Sequence, residues 1–287
     1  MDVVGFLRQL IIGISSGMIT FLGAAGVSLV VSGMNLFNFA QGAFVLLGAF
    51  FCYSVTRVMG FWWALLIAPL GVAIVGGVTE LLMRSLYKKN MLYQMILTMG
   101  IAFVMVDGIQ LVWGKLMKTV TAPVVFSPTF SLLGNPFPTY YVLIIVIAGL
   151  FAIGLWLMFE KTKLGMIFRA IISDREMVDS LGINITLLYS VMFMFGVWMS
   201  GVAGVLIAPI IGISSQKSFD ILFSIMMVIV IGGITSMRGA FYAALIVGVA
   251  NALGSLYLPW FYTLIPGVFM VIVLITRPQG LFMKPED

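Results

Sequence analysis

Side chains able to carry out catalysis are scarce in this sequence of 287 residues, which contains no histidine. The stretch GISSG (13–17) has the Gly-x-Ser-x-Gly spacing of a hydrolase nucleophile, but that motif needs a strand–turn–helix setting and a histidine base. Here it lies in an apolar run long enough for a membrane helix. Ser–His–Asp triads and histidine-ligated metal sites are excluded as well. The sequence therefore predicts no catalytic residues, no metal site and a protein that is not an enzyme.

The stretch GIQLVWGK (108–115) is similar to a phosphate-binding loop but departs from its spacing. Five residues separate its glycines where the motif has four, and neither Ser nor Thr follows Lys115. We therefore expect the chain to bind no cofactor, so that any ATP and Mg²⁺ are used by a partner. The net charge of +5 comes from Lys and Arg in short loops, a pattern typical of membrane orientation, and no nucleic-acid partner is expected.

Amide side chains interrupt the apolar sequence in SGMNLFNFAQG (32–42). Asparagine and glutamine donate and accept hydrogen bonds without net charge, which suits the passage of a polar or zwitterionic solute. Unwound backbone at membrane depth is tolerated where it lines a cavity or is buried in protein. The cluster predicts a solute pathway that includes Asn35, Asn38, Gln41 and Gly42. A plain connecting loop built from turn-forming residues is the alternative.

Two ionisable residues lie within apolar runs, where such groups are costly and mark function or a buried pair. Glu80 precedes Arg84 by four residues, the favourable helical order for an ion pair. Asp107 is a candidate for the wall of the solute pathway, and a hydrogen bond that locks neighbouring helices is the alternative. A proton or sodium pathway usually needs several acidic or carbonyl-rich sites near the middle of the membrane, and the sequence around Glu80 and Asp107 does not supply them. We therefore expect the chain not to power transport itself.

Charge is concentrated in EKTKLGMIFRAIISDREMVDSLGIN (160–184), whose first twenty residues hold eight of the 25 charged side chains (15 basic and 10 acidic). A first short helix is predicted over 164–172, with Arg169 among apolar neighbours. Ser173 and Glu176 then have the Ser-x-x-Glu spacing of a capping box, which predicts a second short helix beginning at Asp174.

The second short helix is expected to present a small apolar face. Met177, Val178 and Leu181 would share that face, and Gly182 is placed for a left-handed C-terminal stop. The result is a helix–turn–helix elbow at about 160–184 that exposes charge and an apolar ridge. Docking of a partner is one interpretation, and a surface-lying connector with solvated charges is the other.

The composition indicates which solvent surrounds the rest of the chain. It is 62% hydrophobic and 9% charged, whereas a soluble domain has roughly 45–50% apolar and about 25% charged residues. Long continuous apolar runs favour membrane helices over β-barrel strands. We predict an all-α polytopic membrane bundle of about eight to nine transmembrane helices, formed by one domain over 1–287. The candidate spans are about 9–32, 43–56, 60–83, 91–114, 139–160, 185–210, 220–235, 240–258 and 261–276.

Basic residues predict the orientation of this bundle. Ten of the 15 Lys and Arg residues fall in 84–90, 160–184, the turn at Arg238 and the C-terminal tail, which places these segments in the cytoplasm. With nine crossings the N-terminus would lie outside. The connection over 115–138 would also lie outside, and its four prolines predict a non-helical excursion.

Small residues recur at spacings that let membrane helices approach closely. Gly232, Gly233 and Gly239 are predicted to serve helix packing. Ordinary packing explains any single glycine of this kind, but together they indicate a compact bundle or a dimer.

Four blocks together resemble the permease subunits of bacterial ABC importers for branched-chain amino acids. They are NLFNFAQGAFVLLGAF (35–50), KLGMIFRAIISDREMVDSLGI (163–183), IGGITSMRGAFYAALIVG (231–248) and RPQGLF (277–282). The resemblance implies an all-helical permease of the large-importer (type II-like) fold, located in the bacterial inner membrane. It also implies four kinds of partner: a second, paralogous permease in a heterodimer, two cytoplasmic ATP-binding subunits, a periplasmic solute-binding protein and the lipid bilayer.

The resemblance further implies roles for particular segments. The helix after the Asn/Gly-rich segment would line the translocation path, and the elbow would couple the bundle to the ATPase during alternating access. The residues expected to serve this coupling are Gly165, Arg169, Ala170, Asp174, Glu176, Met177, Leu181 and Gly182. The family includes importers of urea, short amides and other small solutes, so the substrate stays open. An ion-coupled secondary transporter or a passive channel is the alternative function.

Overall fold

The computed structural model of the protein describes residues 3–87, 90–123, 129–132 and 135–282. Within these ranges the chain forms eleven α-helices and one two-stranded sheet. The helices are α1 (Val3–Met34), α2 (Gln41–Met59), α3 (Phe61–Met83), α4 (Met91–Trp113), α5 (Thr139–Lys161), α6 (Lys163–Ser173), α7 (Arg175–Ser180), α8 (Ile185–Ile207), α9 (Lys217–Gly232), α10 (Met237–Tyr257) and α11 (Ile265–Thr276), and the strands are β1 (Thr129–Leu132) and β2 (Asn135–Pro138).

Seven of the described helices are long and apolar enough to cross a membrane, namely α1 to α5, α8 and α10. The predicted spans at 220–235 and 261–276 correspond to α9 and α11, which have 16 and 12 residues. At 1.5 Å per residue they extend about 24 Å and 18 Å, less than the roughly 30 Å of a bilayer core. The predicted fold, an all-α polytopic membrane bundle, is confirmed, and two of its nine expected spans are shorter helices.

The two strands lie in the connection between α4 and α5, where a non-helical excursion was expected. They pair antiparallel, with Thr129 opposite Pro138 and Leu132 opposite Asn135. Earlier in the same connection the backbone of Lys118 exchanges hydrogen bonds of 2.9 and 2.8 Å with Ile213. This bridge ties the connection to the segment between α8 and α9.

The long helix α1 runs antiparallel to α10. Near the start of α1, Gln9 Nε2 donates to Ser255 Oγ at 2.7 Å, and near its end Ser32 Oγ donates to the carbonyl of Thr235 at 3.0 Å. Between these points a Cβ on Gly13 would lie 3.0 Å from the carbonyl oxygen of Gly248. Small residues therefore let the two helices pack with their backbones in contact.

Helix α8 packs against α1, α2 and α3 through equally close approaches. A Cβ on Gly196 would lie 2.7 Å from the carbonyl oxygen of Gly26, and one on Gly48 would lie 2.7 Å from that of Gly201. An added methyl group at these positions would meet backbone rather than a movable side chain. The centre of the bundle therefore depends on glycine at helix–helix contacts.

Helix α2 begins inside the bundle. α1 ends at Met34, and Asn35 follows with a φ of 50°, in the left-handed region that asparagine adopts more readily than most residues. The chain then turns back, so that the Gln41 side chain reaches the carbonyls of Gly23 and Gly196. Eleven residues of helix separate Gly23 from Met34, or about 16 Å. The non-helical residues 36–40, which are buried or half-buried, therefore lie between the elbow end and the middle of the membrane.

The two ends of the bundle differ in charge. α1, α3, α5 and α9 end where the elbow lies, and we call this the elbow end. Among the described residues it carries seven basic side chains (Arg84, Lys161, Lys163, Arg169, Arg175, Arg238 and Arg277), against five nearer the opposite, outer end (Arg8, Arg57, Lys115, Lys118 and Lys217). Lys88, Lys89 and Lys284 lie outside the described residues. This distribution favours the cytoplasm for the elbow end and an outer N-terminus for α1.

Candidate functional site

The elbow consists of the two short helices α6 and α7. α6 begins after Thr162, whose side-chain oxygen accepts a hydrogen bond of 3.2 Å from the Gly165 amide. Gly165 is buried against the last turn of α5, where a Cβ would lie 2.6 Å from the Cα of Phe159. Glycine at this position therefore lets α6 fold back directly onto α5.

The cap of α7 differs by one residue from the sequence prediction. The capping residue is Asp174, whose Oδ1 accepts a hydrogen bond of 3.0 Å from the Met177 amide. Asp174 is extended, with φ −152° and ψ 100°, and the helix begins at Arg175. The predicted capping box, with Ser173 as the cap and a start at Asp174, is wrong because Ser173 is the last residue of α6 and keeps helical geometry. Glu176 lies in the first turn of α7, next to the positive helix end.

The apolar side chains of α7 divide between the bundle and the surface. Val178 is 3% exposed, whereas Met177 and Leu181 are 62% and 68% exposed. The expectation that all three form one exposed face is corrected accordingly, because Val178 anchors α7 to the bundle. We call Met177 and Leu181 the apolar ridge. Gly182 follows the ridge with a φ of 77°, a left-handed conformation that favours glycine.

Arg169 connects the elbow to the membrane helices. Its Nη1 donates to the carbonyl of Phe159 and lies 4.0 Å from the Glu160 carboxylate, which also pairs with Arg238. Glu160 therefore links α5, α6 and α10. Ala170, the next residue, is exposed. Among the predicted coupling residues, Gly165 and Arg169 hold the elbow in place, while the apolar ridge faces outward.

A second polar network lies beneath α7. Glu80 is buried in α3, and its carboxylate accepts hydrogen bonds from Arg84, Tyr87 and Ser190. Burial and the hydrogen bond to Glu80 hold the pKa of the Tyr87 hydroxyl well above its usual range. The pair of Glu80 and Arg84 expected from the sequence is therefore present, with two further partners that sequence spacing does not reveal.

Three of the five predicted pathway residues lie together in the core. Asn38 and Gln41 are completely buried, and Asn38 Nδ2 donates to Gln41 Oε1 at 3.1 Å. Gln41 Nε2 in turn donates to Ser200 Oγ and, at 3.3 Å, to the carbonyl of Gly196. Gly42 is buried against α9, where a Cβ would lie 2.8 Å from that of Leu222. These contacts join α1, α2, α8 and α9.

The other two predicted pathway residues lie apart from this cluster. Asn35 is exposed at the elbow end, and Asp107 is exposed on α4. The helix-packing glycines 232 and 239 face each other, and a Cβ on Gly232 would lie 2.5 Å from the carbonyl oxygen of Gly239. Gly233 is the C-cap residue that follows α9, with a φ of 104°.

A cavity of 220 Å³ lies between α1, α2, α8 and α9. Its lining includes the charged residues Lys217 and Asp220, which sequence reasoning missed. The signal in the sequence was the polar run GISSQKSFD (212–220) between two apolar spans. Both charges fall at or just before the start of the span predicted at 220–235, where charged residues are common and do not by themselves indicate a site.

Together, the fold and the elbow define a class of protein, a polytopic membrane permease with a two-helix element at one end. Residues 9–274 match the family described as "Branched-chain amino acid transport system / permease component", and the chain belongs to this family. The resemblance stated from the four blocks is thereby confirmed. So is the predicted location as a multi-pass protein of the inner membrane. The family supports an importer permease and not the alternative of an ion-coupled carrier or channel.

Three relatives align over 90% or more of this chain. The high-affinity branched-chain amino acid transport system permease protein LivH of Escherichia coli (strain K12) is 27% identical over 98% of this chain and 96% of its own length. BraD of Pseudomonas aeruginosa, which carries the same description, is 25% identical over 99% and 98%. A probable branched-chain amino acid transport permease protein LivH of Methanocaldococcus jannaschii is 28% identical over 90% and 86%.

A solved structure shares the fold at low sequence identity. A chain of PsaBC from Streptococcus pneumoniae, determined in complex with a Fab, superposes with a TM-score of 0.50. The two chains are 11% identical, and the match covers 96% of this chain and 92% of the other. At this identity the likeness concerns the fold alone.

Proposed function

We propose that this permease moves a branched-chain amino acid, or a related small polar solute, across the inner membrane by alternating access driven by ATP. The family and the names of relatives that align over nearly the whole chain support this reading. Solute identity is the finer part of the proposal, since urea, short amides and organic acids are also compatible with a permease of this type.

The elbow is the observation that carries the proposal. Its apolar ridge is exposed, while Val178 and Arg169 fix it to the bundle. A surface of this kind, with apolar anchors and a charged rim, suits docking to another protein. ATP hydrolysis is assigned to two cytoplasmic subunits that bind here, and Mg²⁺ is used there as well. Movement of the docked subunits would reach α5 and α10 through Glu160.

The remaining partners follow from the same proposal. A solute-binding protein delivers the solute at the outer end, and a second, paralogous permease completes the pathway. The exposed faces of α4 and α5 leave room for lipid or for a further membrane subunit. The whole chain, 1–287, acts as one permease domain with the elbow at about 160–184.

The predicted pathway residues enter the proposal in two ways. Asn38, Gln41 and Gly42 shape the pathway by fixing the start of α2, since their side chains or backbone are packed. Asn35 and Asp107 are exposed and available to the solute or to a neighbouring subunit. Gly232, Gly233 and Gly239 hold the turn between α9 and α10.

Uptake measurements test this function. The chain alone and the chain with its co-purified partner subunits are reconstituted into vesicles, and uptake of labelled L-leucine is followed with and without ATP. We expect uptake only with the partners and ATP, and no response to a proton or sodium gradient. Gradient-driven uptake by the chain alone would instead establish an ion-coupled carrier.

A further inference from the structure

The cavity between α1, α2, α8 and α9 combines two opposite charges with an apolar wall. We propose that it binds the zwitterionic head group and aliphatic side chain of a small α-amino acid. The inference rests on the proposed transport function and assigns a solute class to particular residues. Its volume of 220 Å³ is below the roughly 300–1,000 Å³ of pockets for drug-sized ligands, which suits a small solute.

The charges are placed to hold both ends of a zwitterion. Lys217 and Asp220 are three residues apart in α9, so their side chains project from the same face about 5–6 Å apart at Cβ. The ammonium of Lys217 suits a carboxylate, and the carboxylate of Asp220 suits an ammonium group. In an α-amino acid these two groups are attached to one carbon atom, so a pair of complementary charges one helical turn apart can contact both.

Neither charge is used by the protein itself in the described part of the chain. The ion pairs there are Glu80 with Arg84 and Glu160 with Arg169 and Arg238. Lys217 also stands in the first turn of α9, where a positive charge opposes the helix dipole. A residue placed against the local electrostatics, without a protein partner, is better explained by a ligand than by helix stability.

Two hydroxyl groups add acceptors beside the charges. Thr20 and Ser224 line the cavity and donate their hydrogens to carbonyls of their own helices, at 2.9 Å in both cases. Each hydroxyl oxygen therefore keeps a lone pair that can accept a hydrogen bond from an ammonium group. The rest of the wall is mostly branched and apolar, with Ile19, Ile207 and Ile225 among its residues.

The cavity lies where an incoming solute would need a site. Thr20 is near the middle of α1, and Ile207 is the last residue of α8 on the outer side. The site is therefore between the middle and the outer end of the bundle, away from the elbow. Asp220 and Ser224 are exposed in this chain, so a solute can reach them without disturbing the core.

Neutralising each charge tests the inference in the complete assembly. ATP-driven uptake of labelled L-leucine is measured with saturating solute-binding protein for Lys217→Gln and Asp220→Asn. Loss of a hydrogen bond to a charged group predicts a rate at least about tenfold lower. Lys217→Arg and Asp220→Glu keep the charge and should stay within about threefold of the wild type. Lys115→Gln changes a basic residue at the outer end that does not line the cavity, and this variant should transport normally.

The results separate the site from the function. If the wild type transports leucine and both neutral variants do so at the same rate, the cavity is not the site although the proposed function stands. If the wild-type assembly with ATP transports no leucine, the proposed function fails first, and the inference fails with it.

A protection measurement avoids any dependence on transport rates. Ile211→Cys places a thiol in the lining of the cavity without removing a proposed solute contact, in a protein whose native Cys52 is buried, and its modification by N-ethylmaleimide is timed in the complete assembly. L-Leucine should slow the reaction at least about threefold. 4-Methylpentanoic acid lacks the ammonium group and 3-methylbutylamine lacks the carboxylate, so neither should protect. Ser85→Cys, exposed at the elbow end, should react equally fast with and without leucine. Equal rates at Ile211→Cys with and without leucine would overturn the inference.

Discussion

Ser190 Oγ on α8 lies 2.8 Å from Glu80 Oε1 on α3, and this contact joins two central helices at the elbow end. Arg84 Nε lies 3.0 and 3.1 Å from the two carboxylate oxygens of Glu80, and Tyr87 donates to the same group. A buried carboxylate is stable only when such donors surround it. The network therefore sets the position of α3 against α8 directly beneath the elbow.

Removing the carboxylate should destabilise the bundle. Glu80→Ala removes the acceptor that Arg84, Tyr87 and Ser190 share. Ser190 can still donate to the carbonyl of Thr186, but Arg84 and the half-buried Tyr87 lose their partner, and the expected loss in the free energy of unfolding is about 3 kcal/mol. The Arg84 side chain is 42% exposed, so solvent screens its share of the ion pair. Thermal unfolding in detergent measures the effect. Thr276→Ala, which removes a hydroxyl bonded within its own helix, is the control and should unfold near the wild-type temperature.

Gln41 gives a prediction that separates a structural role from solute contact. Gln41→Leu has a similar size but removes the acceptor of Asn38 Nδ2 and the donor to Ser200 Oγ, which should cost about 1–3 kcal/mol. Gln41→Glu adds a buried charge and should cost more. Unfolding temperature and the solute preference of any properly assembled protein are measured together. A changed solute preference at unchanged stability would contradict the structural role and favour direct contact.

The sequence predicts local features of the elbow well because they depend on neighbouring residues. Charge density, the break between α6 and α7 and the glycine at 182 are all visible within 160–184. The cap of α7 is Asp174 and not the predicted Ser173, because α6 continues to Ser173. The residue at which a helix ends depends on packing as well as on sequence.

Contacts between distant segments explain what the sequence does not reveal. The amides of Asn38 and Gln41 indicate a polar cluster at membrane depth, but only the packing of α8 shows that Ser200 is a partner. Lys217 and Asp220 can be recognised as lining one cavity only when α9 is known to start at Lys217 and to pack beside α1. Periodicity identifies helices, whereas it does not tell which polar residues meet.

Glycine at the centre of the bundle gives a further prediction. In Gly48→Ala the new methyl group would lie 2.7 Å from the carbonyl oxygen of Gly201, so α2 and α8 must separate. Overpacking of this kind should lower the free energy of unfolding by about 1–3 kcal/mol. Gly108→Ala is the matched control, because nothing lies within 4 Å of the added atom. Similar unfolding temperatures for the two variants would show that the contact tolerates a wider separation.

The apolar ridge of the elbow yields the prediction that bears most directly on how the permease receives energy. Met177→Glu and Leu181→Glu place a charge where the proposed docking surface needs an apolar anchor, so the partner ATPase should dissociate during purification. Both side chains are more than 60% exposed, and the thermal stability of the bundle itself should therefore change little. Leu116→Glu introduces the same charge at an outer-end residue that is 78% exposed, and it should leave ATPase association intact. Stoichiometric co-purification of the ATPase with both elbow variants would rule out docking through this ridge and would leave the elbow as a solvated connector.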